Sequence, residues 1–373
     1  MSTLKPKNST LAGAWFPLTI FGLWLMSLLS LLYLGTAFTD HRLAPTEILN
    51  KWDSGWYQSI AANGYHYVAG AQSNVAFFPL YPLLVRGVHL MGLAVPYAGA
   101  VVSLACFAAT LVMTYLLTRE RFNEPVARLA CLLLAFFPFS FFFSQVYTES
   151  LFALLTVLTL WLAQRQRWLL AAIATALAGS TRLIGLFLAV VVVGGYLSQH
   201  RKELSQVKVL GSAIGLLAVC SLGFIAFATY LQMTFGNARV FMEAQRFWPG
   251  RAGGLSGLKE IARHLMDFHV LSNPYALNLT ELVCIVIFGA LTLYCWLRVS
   301  KLWALFCALA LVVPLATGTT ISMNRYVIVL VPCFIAAALW LKTLDRAVFV
   351  LIPSAILLTF YFSLFYSTPV FLG

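Results

Sequence analysis

Residues 168–198 read WLLAAIATALAGSTRLIGLFLAVVVVGGYLS. Taken as one helix, the run is a single long membrane span kinked at Ser180-Thr181-Arg182. Taken as two, it is a pair of short spans turning at that tripeptide, and every later loop changes side. Charge decides between them, because short cytoplasmic loops collect Lys and Arg. With Lys5 and Lys7 on the cytoplasmic side, alternate loops carry Arg119, Arg121 and Arg128; Arg165 and Arg167; Arg201, Lys202 and Lys208; Arg298 and Lys301; Lys342 and Arg346. Those loops hold 14 of the 24 basic residues, and the alternation is unbroken only if 168–198 contains two spans. The C-terminus then lies outside.

The chain has 373 residues, 61% hydrophobic and 10% charged, against about 25% charged in soluble domains. Apolar runs recur, most near the roughly 20 helical residues that cross a hydrocarbon core. The expected spans are 14–37, 96–118, 126–145, 148–163, 168–181, 183–198, 209–233, 277–297, 302–318, 326–341 and 347–366. The fold class is therefore an all-α polytopic membrane protein with about 11 transmembrane helices, in one integral membrane domain over 1–373. The first run exceeds the usual ~7–15-residue core of a signal peptide and reads as an uncleaved span. The formal charge of +12 sits in short loops and forms no basic block, so no nucleic-acid partner is expected. Cys106, Cys131, Cys220, Cys284, Cys295, Cys307 and Cys333 all fall within spans and suggest packing, not a disulfide framework.

Two long loops, 38–95 and 234–276, face outside. The first contains Asn50-Lys51-Trp52-Asp53-Ser54-Gly55-Trp56-Tyr57. Trp52, Trp56, Tyr57, Ile60 and Ala61 share one helical face, which predicts an interfacial helix ending near Gly64-Tyr65. Asp53 has two readings. It could accept a proton from a hydroxyl as a general base, or it could cap the helix that follows. Asp40 is the second candidate base. Phe77-Phe78-Pro79-Leu80-Tyr81-Pro82 is apolar but broken by proline, which predicts an irregular segment returning to the membrane. Its aromatics, with Trp52, Trp56 and Tyr57, either anchor the interface or line a groove for a lipid chain.

Three further turns lie on that same side. Gln145-Val146-Tyr147-Thr148-Glu149-Ser150 opens an apolar helix, so Glu149 is either a dipole partner or a second acid oriented toward an arginine or an acceptor. Arg182 lies in Gly179-Ser180-Thr181-Arg182-Leu183-Ile184-Gly185, and Arg325 in Ser322-Met323-Asn324-Arg325-Tyr326. Each arginine could snorkel to the interface or bind phosphate through its fork of donors. The loop 234–276 carries Arg239, Glu243, Arg246 and Arg251, and a second amphipathic helix is expected over 255–268. His41, His66, His264 and His269 lack metal-ligand spacing. No cofactor is expected, while the acids leave a divalent metal open.

Trp52-Asp53-Ser54-x-Trp56-Tyr57, Gly64-Tyr65, Phe77-Phe78-Pro79-Leu80-Tyr81-Pro82, Tyr147-Thr148-Glu149-Ser150-Leu151-Phe152 and Arg182-x-x-Gly185 occur in order. In these motifs the first half of the chain resembles the PIG-V mannosyltransferase family. The second half matches it in hydropathy and in Asn324-Arg325-Tyr326. The resemblance implies a GT-C-type glycosyltransferase fold with its active site on the outer or lumenal face. It also implies a polyprenyl-phosphate-sugar donor, most simply mannose, and a glycan or glycolipid acceptor among the membrane lipids. Carried over, the base is Asp53, with Arg182 and Arg325 on the donor phosphate and Glu149 in support. Substrate contacts are expected from Trp52, Trp56, Tyr57, Tyr81, Tyr147 and Asn324. The compact chain with short cytoplasmic loops suggests a bacterial or archaeal plasma-membrane protein (an endoplasmic reticulum protein if eukaryotic). The competing classes are a lipid or glycolipid flippase and a non-catalytic subunit of a membrane glycosylation complex.

Overall fold

The computed structural model of the chain describes residues 13, 15–38, 47, 49–248, 279–316 and 320–367. Every regular element among them is helical. In chain order the helices are α1 (Trp15–Phe38), α2 (Ser54–Asn63), α3 (Leu80–His89), α4 (Val95–Arg121), α5 (Glu124–Ala135), α6 (Glu149–Gln164), α7 (Trp168–Gly179), α8 (Ala189–Gln199), α9 (Val207–Phe235) and α10 (Val240–Gln245). There follow α11 (Leu279–Arg298), α12 (Lys301–Leu315), α13 (Met323–Val327), α14 (Val331–Leu341) and α15 (Leu344–Ser367). Short 3₁₀ turns precede α3, α6 and α8.

The deciding stretch is a helical hairpin. α7 ends at Gly179, and a 3₁₀ turn over Leu183–Leu188 leads into α8. Trp168, at the start of α7, meets the end of α8: its ring lies 6.1 Å from that of Tyr196, and its Nε1 donates to Gln199 Oε1 at 2.9 Å. At the bend, a Cβ on Gly185 would overlap the backbone of Ala178. Only a glycine lets the returning chain pass so close. The split expected from loop charges is therefore present as two antiparallel segments.

The packing is inverted relative to a soluble protein. α9 and α15 present Ile214, Leu217, Ile225, Phe349, Ile352 and Phe360 outward. α4, against which α1, α5 and α6 pack, turns Ser103, Thr110, Thr114 and Thr118 inward. An apolar exterior is what lipid selects, because the interior alone can satisfy polar groups. The core is aromatic: Phe107 stacks on Phe143 at 4.3 Å, and Trp24 donates to Ser140 at 3.1 Å.

Among the described residues, five helices are long and apolar enough to cross a membrane: Trp15–Tyr33, Val95–Arg121, Val207–Phe235, Leu279–Arg298 and Asp345–Ser363. Five shorter apolar helices cover other expected spans. Two spans differ from expectation. The run 126–145 is α5, then a bend at 136–139 and a 3₁₀ turn over Ser140–Ser144. Pro138 removes a backbone donor and disfavours helix at Phe137, a break that average hydropathy does not register. The run 326–341 is likewise interrupted between α13 and α14, with Pro332 in the first turn of α14.

In the first long loop, α2 stops at Gly64, whose φ of 82° ends the helix. The Phe77–Pro82 segment is less irregular than its prolines suggest. Pro79 caps α3, and Pro82 lies in the first turn, where its missing N–H removes no helical bond. The Leu80 backbone N–H donates to Ser180 O at 2.9 Å, which fastens this segment to the hairpin bend. The second long loop docks on the first. Val240, Phe241 and Ala244 of α10 pack with Val75, Phe78 and Phe227, and Tyr67 donates to Glu243 Oε2 at 2.9 Å. The expected helix over 255–268, with His264 and His269, lies outside the described residues, as do Asp40 and His41.

Candidate active site

Asp53 occupies the N-cap position of α2, yet its side chain makes no cap bond. The residue before it, Trp52, has φ of 51°. A bulky side chain in the left-handed region is strained, and such strain persists where surrounding contacts enforce it. One such contact is Tyr147, whose hydroxyl donates to Lys51 O at 3.0 Å. The Asp53 carboxylate is thereby turned away from its helix toward Arg325. Its Oδ2 accepts from Nη1 at 2.9 Å. Of the two sequence readings of this aspartate, the cap is the one the geometry removes.

Glu149 begins α6 and is also not spent on its helix. Its Oε1 lies 3.0 Å from Arg182 Nη1 and 3.0 Å from Arg325 Nε. Four charges therefore alternate along one line: Asp53, Arg325, Glu149, Arg182. Burial deepens toward the middle, with side-chain exposures of 15% for Asp53, 7% for Arg325, 1% for Glu149 and 12% for Arg182. Glu149 Oε2 is buried and accepts no hydrogen bond among the described residues. Two acids and two bases give no net charge, which suits a site removed from water. Burial alone would lower the Arg325 pKa, but the Asp53 and Glu149 carboxylates outweigh it and hold it well above the ordinary value.

Aromatic rings enclose the line. Arg325 lies over Tyr147 at 4.9 Å and Arg182 over Tyr326 at 4.9 Å, distances at which a guanidinium gains from the ring face. Burial, then the nearby Glu149 carboxylate, pushes the Tyr57 phenol up. Burial, then Asp53, does the same for Tyr147. Both phenols stay protonated at neutral pH, which leaves the carboxylates as the candidate proton acceptors.

Asp53, Arg182 and Arg325 all line one cavity of about 470 Å³, together with Trp52, Trp56 and Tyr57. Its lining also includes apolar side chains: Leu183 and Ile184 from the hairpin bend, Val313 and Pro314 from α12. Trp248 of the second loop also lines the cavity, 5.8 Å from Trp56 and 5.7 Å from Phe77 between ring centroids. The cavity lining thus combines charged groups, apolar side chains and indole rings.

Four expected site residues do not line the cavity, although Glu149 meets the arginines as one of its sequence readings expects. Glu149 sits behind the two arginines, not on the cavity. Tyr147 lies beneath Arg325. Asn324 is buried, with Oδ1 accepting from the Arg325 backbone at 2.8 Å. Tyr81 is fully buried and its hydroxyl is committed to Gly99 O at 3.0 Å and Ser103 Oγ at 2.8 Å, so it belongs to the core. Conversely, Thr181, Gln245, Trp248, Ser322 and Tyr326 line the cavity without having been singled out from sequence. Thr181 and Tyr326 adjoin the two arginines, and that adjacency was the available signal. Gln245 and Trp248 carried none, because the docking of loop on loop is a tertiary event. Among the described residues no three His, Cys, Asp or Glu side chains converge as metal ligands.

The helical membrane body has the GT-C-type fold, as comparison with solved structures shows. Its backbone is similar to that of ArnT from Cupriavidus metallidurans bound to undecaprenyl phosphate, with a TM-score of 0.55 at 13% identity over 90% of this chain and 63% of that one. The apo state of the same enzyme gives 0.52 at 14% identity, over 89% and 60% of the two chains. The chain belongs to the PIG-V mannosyltransferase family, whose model, described as Mannosyltransferase (PIG-V), matches residues 39–248. It is similar to GPI mannosyltransferase 2 of Drosophila pseudoobscura pseudoobscura, 33% identical over 116 residues, 28% of this chain. It is also similar to GPI alpha-1,6-mannosyltransferase 2 of Rattus norvegicus, 28% identical over 242 residues, 58% of this chain. These matches span 25% and 47% of the two relatives' lengths.

Proposed function

We propose that this protein is an inverting mannosyltransferase that moves mannose from a polyprenyl-phosphate-mannose donor to a hydroxyl of a lipid-linked or surface glycan. The observation that carries the proposal is the shared cavity of Asp53, Arg182 and Arg325, whose lining also includes the apolar Leu183, Ile184, Val313 and Pro314. Family membership supports the sugar, and undecaprenyl phosphate on a protein of the same fold supports the class of donor. The reaction faces the extracytoplasmic side of a bacterial or archaeal plasma membrane, the side on which loop charges put these turns.

In this reading Asp53 takes the proton of the acceptor hydroxyl. The hydroxyl oxygen attacks the anomeric carbon from the face opposite the phosphate and forms the new glycosidic bond. The bond from carbon to phosphate oxygen breaks, and its electron pair leaves with the lipid phosphate. Arg182 meets the charge that develops there, an electrostatic contribution of the kind that usually dominates such reactions. Arg325 differs from the role its sequence position suggests. It touches both carboxylates, so its first task is to aim Asp53, and any contact with phosphate is shared with that task. Glu149 holds the two arginines apart and in register. The prenyl chain follows the wall of Leu183, Ile184, Val313 and Pro314.

The test is transfer of mannose from a synthetic polyprenyl-phosphate-mannose by the purified protein, wild type against Asp53→Asn. Equal turnover by the two would sink the assignment of Asp53. Movement of the lipid across vesicles with no transfer to any glycan acceptor would favour a flippase.

A further inference from the structure

Glu281 lies outside the line of four charges, in the first turn of α11, and is 4% exposed. Among the described residues no cation pairs with it. Its carboxylate is divided between two neutral donors: Oε1 accepts from the Ser322 backbone N–H at 2.7 Å, and Oε2 from Thr320 Oγ1 at 2.9 Å. Burying an ionisable acid without a cation is expensive, and well-aimed hydrogen bonds are what make it tolerable. Both of these bonds go to one turn.

That turn carries Arg325. Ser322 has φ of 72° and ψ of 8°, a left-handed conformation that non-glycine residues adopt only when held. Its carbonyl accepts from the Arg325 N–H at 3.0 Å and the Tyr326 N–H at 2.9 Å, which starts α13. A helix of five residues has little stability of its own, so the direction of α13 depends on what fixes its start. Glu281, which is not among the cavity-lining residues, grips that start, while Ser322 lines the cavity itself. The connection runs from Glu281 through Ser322 to Arg325 and so to Asp53.

We infer that Glu281 is the positioning residue that sets the Arg325 guanidinium against Asp53. The kinetic half of the inference rests on reading Asp53 as the base. The structural half, that Glu281 acts through Arg325, does not.

The experiment uses the full chain purified in detergent, in two parts. In the first, melting temperatures are compared for wild type, Asp53→Asn, Glu281→Gln and the double variant. If Glu281 holds Arg325 in place, the loss caused by Asp53→Asn is smaller when Glu281 is already altered. Additive losses overturn the inference, since contacting networks couple and independent sites add. In the second, mannose transfer from polyprenyl-phosphate-mannose is measured for Glu281→Gln and Glu281→Ala, alone and with Arg325→Lys. Turnover is expected to fall by about tenfold to a hundredfold, because misplacement by an ångström can cost that much, while the donor KM stays within about twofold. Glu281→Gln, which keeps one acceptor oxygen, retains more activity than Glu281→Ala. On the Arg325→Lys background either change adds little. A raised donor KM with unchanged kcat, or full additivity with Arg325→Lys, overturns the inference. Should Glu281→Ala not fold, Thr320→Val removes one of the two bonds and is expected to show a milder form of the same coupling. A wild type that transfers no mannose sinks the reading of the site, and the melting comparison then still decides the role of Glu281.

Discussion

Asp53 and Arg325 are 272 positions apart in the chain and 2.9 Å apart in space. The pairing joins the first long loop to α13, so distant parts of the chain meet at the candidate reaction centre. It also explains why Asp53 leaves its helix uncapped: a full guanidinium charge is a stronger partner than a backbone N–H.

The first expectation concerns Asp53 itself. Asp53→Asn keeps the size of the side chain and can still meet Arg325 through its carbonyl oxygen, but it cannot take a proton. Initial rates of mannose transfer should drop by about 10²- to 10⁴-fold, the range a positioned general base supplies. The variant should still fold, with its melting temperature lowered only by the step from a charge-assisted to a neutral hydrogen bond, a loss of about 1 kcal/mol. A variant that retains more than about a tenth of wild-type turnover would show that the base lies elsewhere.

Glu149 should matter more for stability than for chemistry. It is the most buried of the four charges and the single carboxylate shared by both arginines. Glu149→Ala leaves two guanidinium groups without it, and breaking a buried pair costs about 3–5 kcal/mol. Thermal unfolding in detergent should therefore show a larger loss for Glu149→Ala than for Asp53→Ala, whose carboxylate is more exposed and touches one arginine. The reverse order would mean that Glu149 is not the keystone of the line.

Much of this arrangement was legible in the sequence. Arg182, Arg325 and Asp53 stand out because charges are scarce in an apolar chain, and loop charge put all three on one side. The hairpin at 168–198 was legible for the same reason. What was not legible depends on contacts made by folding. Glu281 opens an apolar helix, where an acid reads as a dipole partner, and its true partners lie about 40 residues further on. Trp248 carries no signal in the sequence, because it joins the cavity only when the second loop docks on the first. Tyr81 reads as a site residue because it shares a motif with cavity residues, yet its ring points into the core. The break after α5 escaped because hydropathy averages over Pro138.

The aromatic lining should set substrate affinity without taking part in the chemistry. Trp248 and Trp56 both line the cavity, their rings packed together at 5.8 Å and tilted by 55°, and the indole surface they present offers a sugar ring a flat apolar patch. Aromatic contacts of this kind are worth about 0.5–1.5 kcal/mol beyond area burial. Trp248→Ala should raise the KM for the acceptor by about tenfold or less, since 1.4 kcal/mol corresponds to tenfold. Its kcat should stay near wild type. A loss confined to kcat would mean that Trp248 organises the charged residues instead of the acceptor.

The hairpin bend gives a final expectation, because two glycines of the same bundle should respond in opposite directions. At Gly185 a methyl group would meet the backbone of Ala178, which cannot rotate aside. Gly185→Ala must therefore open the bend, and overpacking of this kind costs about 1–3 kcal/mol. Arg182, three residues earlier, moves with the bend, so the variant should lose transfer activity as well as stability. Gly211 lies in α9 with nothing within 4 Å of the position a Cβ would take. There alanine only removes the entropic disadvantage of glycine in a helix, and Gly211→Ala should gain about 0.5–1 kcal/mol. Melting temperatures and transfer rates for the two variants test the hairpin directly. If residues 168–198 were instead one continuous helix, Gly185 would lie mid-helix like Gly211, and both substitutions would stabilise.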